Sequence, residues 1–255
     1  MLIALPPSAG KTTPATGPAL DLASLTAPQL NPVRERVIDA LQRVSGAPDA
    51  LSVLKVGASL EPEIRAQIDF YRRPCAPAWQ VYTGVLYAAA GFDTLTDAER
   101  ERSARMVRIF SGAFGVLSPE DLIPAYRLSM NTKLPDFSVQ ALWRQALREQ
   151  AVLPEDELVV DARSGEYMVW SPAPERHVTV GAVRLRNGKR SVVSHWAKHY
   201  RVLLAGYLVR EANAPSTPLE LAEFAQVLVQ DGHVSGVELT PAGRGPAKLT
   251  LVTEE

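Results

Sequence analysis

Val178-Thr179-Val180-Gly181-Ala182-Val183-Arg184-Leu185-Arg186, then Asn187-Gly188, then Lys189-Arg190-Ser191-Val192-Val193-Ser194, is the stretch on which the fold turns. Two runs rich in β-branched residues flank a two-residue turn whose Asn and Gly accept positive φ at both centres. That is the pattern of a tight antiparallel hairpin. A helix follows from about Trp196 to Arg210.

Outward from this hairpin, strands and helices alternate to both ends of the chain. Leu158-Val159-Val160 reads as a short strand ending at Asp161, and Ser138 to Gln150 as a helix with Val139, Leu142, Trp143, Ala146 and Leu147 on one face. Thr96 with Glu99 forms a capping box for a helix that fades before Val107. There Val107-Arg108-Ile109-Phe110 becomes a strand emptying into Ser111-Gly112-Ala113-Phe114-Gly115, and Ser118-Pro119-Glu120-Asp121 signals another short helix. Asn31 and Pro32 read as N-cap and first residue of a helix running to Ser45, with Val33, Val37, Ile38, Leu41 and Val44 at helical spacing. Gly46 stops it, and Leu51, Val53 and Leu54 continue a second apolar stripe. Leu2 to Leu5 is a short buried strand, Thr217 to Glu220 caps a helix through Leu228, and Val237–Leu239 and Leu249–Val252 close the chain as strands. No flexible linker interrupts this order, so the expectation is one compact α+β domain over residues 1–255, with a mixed sheet and surrounding helices.

The 255 residues are 46% hydrophobic and 22% charged, which excludes wholesale disorder and fibrous repeats. No apolar run approaches the roughly 18 residues of a membrane span, and the Met1 to Leu5 run lacks a basic flank and stops at Pro6-Pro7, too early for a secretion signal. The single Cys75 cannot form an intramolecular disulfide and suits a reducing compartment, so a cytoplasmic location and no membrane partner are expected.

The net charge of -1 conceals segregation. Residues 176–210 hold Arg176, Arg184, Arg186, Lys189, Arg190, Lys198, Arg201 and Arg210 and no acid, a local +8, whereas residues 150–175 carry -5 and residues 211–231 carry -4. Such a segment either presents a basic surface to phosphates or pairs with its acidic flanks.

Candidate chemistry is sparse. Gly10-Lys11-Thr12 after a strand resembles a phosphate-cradling loop, but Leu5 stands where its first glycine belongs, and Pro6 and Pro7 remove two N–H donors. A plainer phosphate or carboxylate site from Ser8, Lys11 and Thr12 remains open beside an ordinary surface turn. Ser8 to Lys11 also fits S-x-x-K, a pattern of serine acyl-transfer enzymes, without its companion motifs. His195 and His199 are one helical turn apart but lack a third ligand, so neither a metal site nor a cofactor is expected. Val44-Ser45-Gly46-Ala47 between two helices has the outline of a helix-hairpin-helix, whose turn amides grip DNA phosphates, an outline that any αα-hairpin shares.

The segment Arg108 to Met130, RIFSGAFGVLSPEDLIPAYRLSM, closely resembles the signature of the YaaA family of peroxide stress resistance proteins, R-x-L-S-G-L-Y-G-L-L-x-P-x-D-L-I-x-P-Y-R-L-E-M. Further blocks in the family's order are Leu5-Pro6-Pro7-Ser8 with Lys11-Thr12, Tyr82 to Tyr87, Asp161 to Tyr167, and Ser194 to Arg201. Departures are Ser118 and Ser129 in the signature, Val202 where the family has Gly, and Gly206 where it has Arg. The resemblance implies a cytoplasmic α+β protein that limits iron-driven oxidative DNA damage and binds duplex or branched DNA, without sequence preference, through a basic cleft and a helix-hairpin-helix-like element. It carries Ser8, Lys11, Tyr126, Arg127, Lys198 and Arg201, with the Gly46 turn, as DNA- or anion-binding positions. The same polar set, with Glu166, would equally suit an enzyme acting on an anionic, nucleotide-like small molecule, although no nucleophile is assignable.

Overall fold

Leu2–Leu5, buried at every residue, forms the strand around which the molecule is assembled (β1). A four-residue apolar run with no alternation fits a strand covered on both faces, and both of its neighbours are parallel to it. The computed structural model describes residues 1–186, 189–192 and 194–254, and of residues 85, 86, 192 and 194–197 the backbone alone.

Numbering the main-sheet strands in chain order, β2 is Val107–Ser111, β3 Gly115–Leu117, β4 Val159–Asp161, β5 His177–Arg186, β6 Lys189–Val192, β7 Gly236–Thr240 and β8 Ala247–Glu254. The eight strands lie in the order β7-β8-β5-β4-β1-β2-β3, with β6 paired to β5. The β1, β2, β4, β5 and β8 strands run parallel, while β3, β6 and β7 are antiparallel to β2, β5 and β8. The sheet is therefore mixed. The expected hairpin is present as β5 and β6, paired from Lys189–Arg186 to Val192–Val183, while its Asn187-Gly188 turn lies outside the described residues.

The principal helices are α1 (Asn31–Ser45), α2 (Ala50–Leu54), α3 (Asp97–Met106), α4 (Val139–Gln150) and α5 (Ser194–Arg210). Thr96 caps α3 in the expected box and Ser138 caps α4. Two expected helix starts fail, and the helix expected through Leu228 ends at Phe224, with a separate turn of helix at Val227–Gln230. Asn31 lies inside α1, after a 3-10 turn at Pro28–Leu30, and its side chain accepts a hydrogen bond from Arg34 at 2.8 Å instead of capping. Ser118 to Asp121 starts no helix: the Asp121 carboxylate accepts from the Ser118 and Thr26 N–H groups at 3.0 Å, and Leu122–Ile123 then pairs with Ala76–Pro77.

Much of the signature serves the core. Gly115 has φ +73°, and a Cβ there would lie 2.4 Å from the Trp143 ring. The Trp143 indole donates to the Gly112 carbonyl at 2.8 Å. Arg34, fully buried, donates to the carbonyls of Phe114, Val116 and Thr26 at 3.0, 2.9 and 2.5 Å, tying α1 to β3.

α3, which leads into β2, packs against α5, whereas α4, which leads into β4 on the other side of β1, packs against α1. The chain thus departs from β1 in one direction and returns past it in the other. A crevice opens at such a reversal, outside the carboxyl ends of β1 and β4.

Candidate functional site

The loop leaving β1 is fixed before any ligand arrives. The Ser8 hydroxyl, 4% exposed, donates to the Thr83 carbonyl, and Thr83 N–H returns a bond to Gly10 at 3.2 Å. Thr12 N–H donates to Val81 at 2.9 Å, and Tyr87 Oη to the Pro6 carbonyl at 2.7 Å. Close approach explains the glycines: a Cβ on Gly10 would fall 2.7 Å from the Thr83 oxygen, and Gly84 has φ +135°. Two sequence blocks that resemble the family, one at Leu5 to Thr12 and the other at Tyr82 to Tyr87, are thereby one structural unit.

Lys11 closes this unit from within. Its Nζ donates to the Ser8 carbonyl at 2.8 Å and lies 4.5 Å from the Tyr126 ring centre and 5.4 Å from that of Tyr82. The bond is to the main-chain oxygen of Ser8, while the hydroxyl faces Thr83, so the S-x-x-K pair forms no serine–lysine dyad. Loss of hydration, with the nearby Arg127 charge, lowers the Lys11 pKa to about 7 against the weaker opposing pull of Glu63. Two ring faces return up to about 2 kcal/mol to an ammonium, less than the several kcal/mol that desolvating the charge costs. Beneath Lys11, Tyr126 Oη is 2.9 Å from Tyr82 Oη and 2.7 Å from Ser111 Oγ, and burial pushes both phenols well above their ordinary values. Tyr126 is therefore a buried floor under Lys11, 2% exposed, and not a surface contact.

Arg127 follows on the same side. Its Nε donates to Glu63 at 2.6 Å, its Nη1 to the Ala9 carbonyl, and its backbone N–H to Gln67, whose Nε2 donates in turn to Ser45 Oγ at 2.9 Å. Ser45 ends α1, so the α1–α2 turn is coupled to Arg127 through one glutamine. The Gly46 N–H itself bonds back to Gln42 and Arg43 at 3.2 and 3.3 Å, leaving the turn exposed but its glycine donor occupied.

A cavity of about 580 Å3 lies in the predicted crevice, lined by Ser8, Lys11, Lys55, Arg127, Glu166 and Lys198 among others. Its walls come from the loops after β1 and β4, the end of α2 and the first turns of α5. That volume falls in the range of about 300–1,000 Å3 that takes a small molecule or a single nucleotide. Lys198, exposed, is shared with an adjoining cavity of about 420 Å3 that also reaches Arg163, Arg201 and Lys248. Arg201 is partly committed: β4 and β6 occupy the two ends of one β5 edge, and Arg201 Nε donates to the Val180 carbonyl between them at 2.6 Å. Burial lowers the Arg201 pKa, opposed by the Asp161 charge.

Below this wall sits a buried triad that the sequence reading did not find. Arg163 grips both Asp161 oxygens at 2.8 and 2.7 Å, and His177 Nε2 is 2.9 Å from Oδ2. Burial opposes ionisation of Asp161, but the Arg163 and His177 hydrogen bonds outweigh it and hold the carboxyl below the usual range.

Several acids of the two flanks are engaged locally. Glu220 caps Ser216, Glu211 accepts from Asn213 N–H, Asp231 accepts from Tyr207 and Glu157 pairs with the Met1 amine. Arg190 pairs with Glu238, outside both flanks, and Arg210 spends its guanidinium on Ala90, Gly91, Gly206 and Thr94. Arg186, Lys189 and Lys198 are exposed. Both departures in α5 have packing reasons: Val202, 2% exposed, lines the main cavity, and a Cβ on Gly206 would meet the Ala90 carbonyl at 2.4 Å.

The structure thus brings Ser8, Lys11, Arg127 and Lys198 to one cavity, sets Tyr126 behind it and Arg201 beside it, and leaves Gly46 outside, linked through Ser45. Lys55 was missed because its place depends on a left-handed turn, φ 55°, at the end of α2. Among the described residues no group of three or more His, Cys, Asp or Glu could hold a metal ion, and no helix is long and apolar enough to cross a membrane. Burial raises the Cys75 pKa to about 11, the mark of an inert thiol.

Residues 1–227 match the family model described as peroxide stress protein YaaA. A UPF0246 protein of Corynebacterium efficiens is 40% identical over 237 residues, covering 89% of this chain and 92% of its own. One from Streptomyces coelicolor is 35% identical over 263, covering 100% and 99%, and one from a Marinomonas species is 29% identical over 224, covering 81% and 83%.

Proposed function

We propose, from the premise that this chain belongs to the YaaA family of peroxide stress proteins, that it binds DNA and limits iron-driven oxidative damage to it. Membership supports a role in peroxide stress. The DNA reading is supported above all by one observation: Lys11, Lys55, Arg127 and Lys198, far apart in sequence, line a single cavity, while Arg186 and Lys189 of the β5–β6 hairpin are exposed. In this reading Lys198, Lys55 and the hairpin bases contact phosphates of duplex or branched DNA, with no base readout. The cavity, too small for a duplex, receives one unpaired nucleotide or strand end, and Arg127, held by Glu63, orients its phosphate. The α1–α2 turn lies outside the cavity and its Gly46 N–H is taken, so in this reading it donates no amide to phosphate.

Fluorescence anisotropy with labelled duplex and junction DNA tests this reading. Each phosphate contact contributes about -0.9 to the slope of log affinity against log salt. The Lys55→Ala/Lys198→Ala variant should lose affinity with every sequence and flatten the slope by about two. Absence of binding at low salt overturns the proposal.

The cavity's volume and its partly neutral lysine favour a second reading, an enzyme acting on a free nucleotide-like anion. Calorimetric titration with a mononucleotide separates the two: saturable one-to-one binding without DNA affinity selects the second.

A further inference from the structure

The geometry points to Lys11 as an imine-forming amine, taking a small aldehyde or ketone that carries a phosphate or carboxylate into the cavity at the end of β1. This goes beyond DNA binding and does not depend on it. Lys11 lines the cavity together with Ser8, whose carbonyl holds its amine. The Nζ is held by a main-chain carbonyl, and among the described residues no carboxylate comes within salt-bridge distance of it, Glu63 being engaged by Arg127 at 2.6 Å. Two aromatic faces wall off the amine, and their hydroxyls are occupied by each other and by Ser111.

A lysine meant only to attract phosphate serves best hydrated and charged. Lys55 and Lys198, both exposed on the same cavity, meet that description, and Arg127 adds a guanidinium. Lys11 is instead desolvated, with a pKa lowered to about 7. Near neutral pH far more of it is free amine than of an ordinary lysine, of which less than about one part in a thousand is free. This is the environment in which lysines become nucleophiles.

The step balances without an added oxidant or reductant. The Lys11 nitrogen lone pair forms a bond to the carbonyl carbon, and the carbonyl π electrons move to oxygen. The resulting carbinolamine loses its oxygen, together with the two amine protons, as water, leaving a C=N bond. The anionic group of the same molecule would rest against Lys55, Lys198 and Arg127.

The test is trapping on the intact wild-type chain at pH 7.2 with glyceraldehyde 3-phosphate and sodium cyanoborohydride, followed by peptide mapping. Lys55, Lys133, Lys189, Lys198 and Lys248 serve as internal comparators. Lys11 should be alkylated at least tenfold faster than any of them, at least tenfold faster with the phosphorylated aldehyde than with glyceraldehyde, and more slowly when inorganic phosphate competes. Lys11→Met should lose the fast adduct, and the wild-type distribution decides alone if that variant does not fold. Labelling of Lys11 no faster than Lys55 and Lys198, or equal labelling by the two aldehydes, overturns the inference. Neither result bears on DNA affinity, which anisotropy measures separately.

Discussion

Replacing Lys11 by Met should stabilise the protein at neutral pH, and the gain should disappear as the pH rises. The folded-state pKa of about 7 lies below the ordinary 10.5, so between those values the unfolded chain holds a proton that the folded chain has released. Wild-type stability therefore climbs with pH across that window, by about 1.4 kcal/mol per pH unit for this one group, whereas the variant has no such slope. Taken whole, the shift is worth about 5 kcal/mol, but Lys11 is not fully buried, and solvent screening reduces the figure. The variant also gives up the hydrogen bond to Ser8 and the contacts with two ring faces, together about 1–3 kcal/mol. The expected net gain is about 1–3 kcal/mol at pH 6 to 7, falling through zero before about pH 10. Urea unfolding of both proteins at four pH values measures the difference directly. A stability difference that stays constant from pH 6 to 10 would refute the desolvated-amine reasoning.

Other perturbations separate scaffold from site. Arg34→Met should cost about 3–5 kcal/mol by orphaning the carbonyls of Thr26, Phe114 and Val116, as a lowered urea midpoint will show. Gly206→Arg, which restores the residue usual in the family, should destabilise by about 2–3 kcal/mol because Ala90 leaves no room for a Cβ; an unchanged midpoint contradicts the packing. Asp161→Asn should cost about 3–5 kcal/mol at pH 7, with the penalty shrinking in acid. The sign follows from a carboxyl held low in the folded state, whose contribution is present above its unfolded pKa and lost as pH falls toward the folded one. Lys198→Ala, exposed, should leave thermal stability within about 0.5 kcal/mol while weakening phosphate binding.

What the sequence made legible was mostly local. Apolar spacing and caps located β1, α3 and α4 to within a residue or two, and Asn-Gly located the β5–β6 pair, because these features depend on neighbours in the chain. Ser118-Pro119 misled because an N-cap pattern was overridden by Asp121 reaching across to Thr26, a contact between residues far apart in sequence. The strand order around β1, and hence the crevice, was not legible from periodicity. The cavity's residues were visible only in part: Ser8, Lys11, Arg127 and Lys198 stood out through resemblance, whereas Lys55 and the Asp161–Arg163–His177 cluster depend on tertiary placement. Charge counting found the basic segment but not its division into Arg201 and Arg210, bound to carbonyls, and the exposed Arg186, Lys189 and Lys198.

That division makes the salt dependence of DNA affinity the most direct measurement. Wild-type protein should bind duplex and junction DNA with a steep negative salt slope that Lys55→Ala/Lys198→Ala reduces by about two, with folding unchanged. No binding at low salt, or a slope identical in the variant, would contradict the assignment of this cavity and its rim to nucleic-acid phosphate.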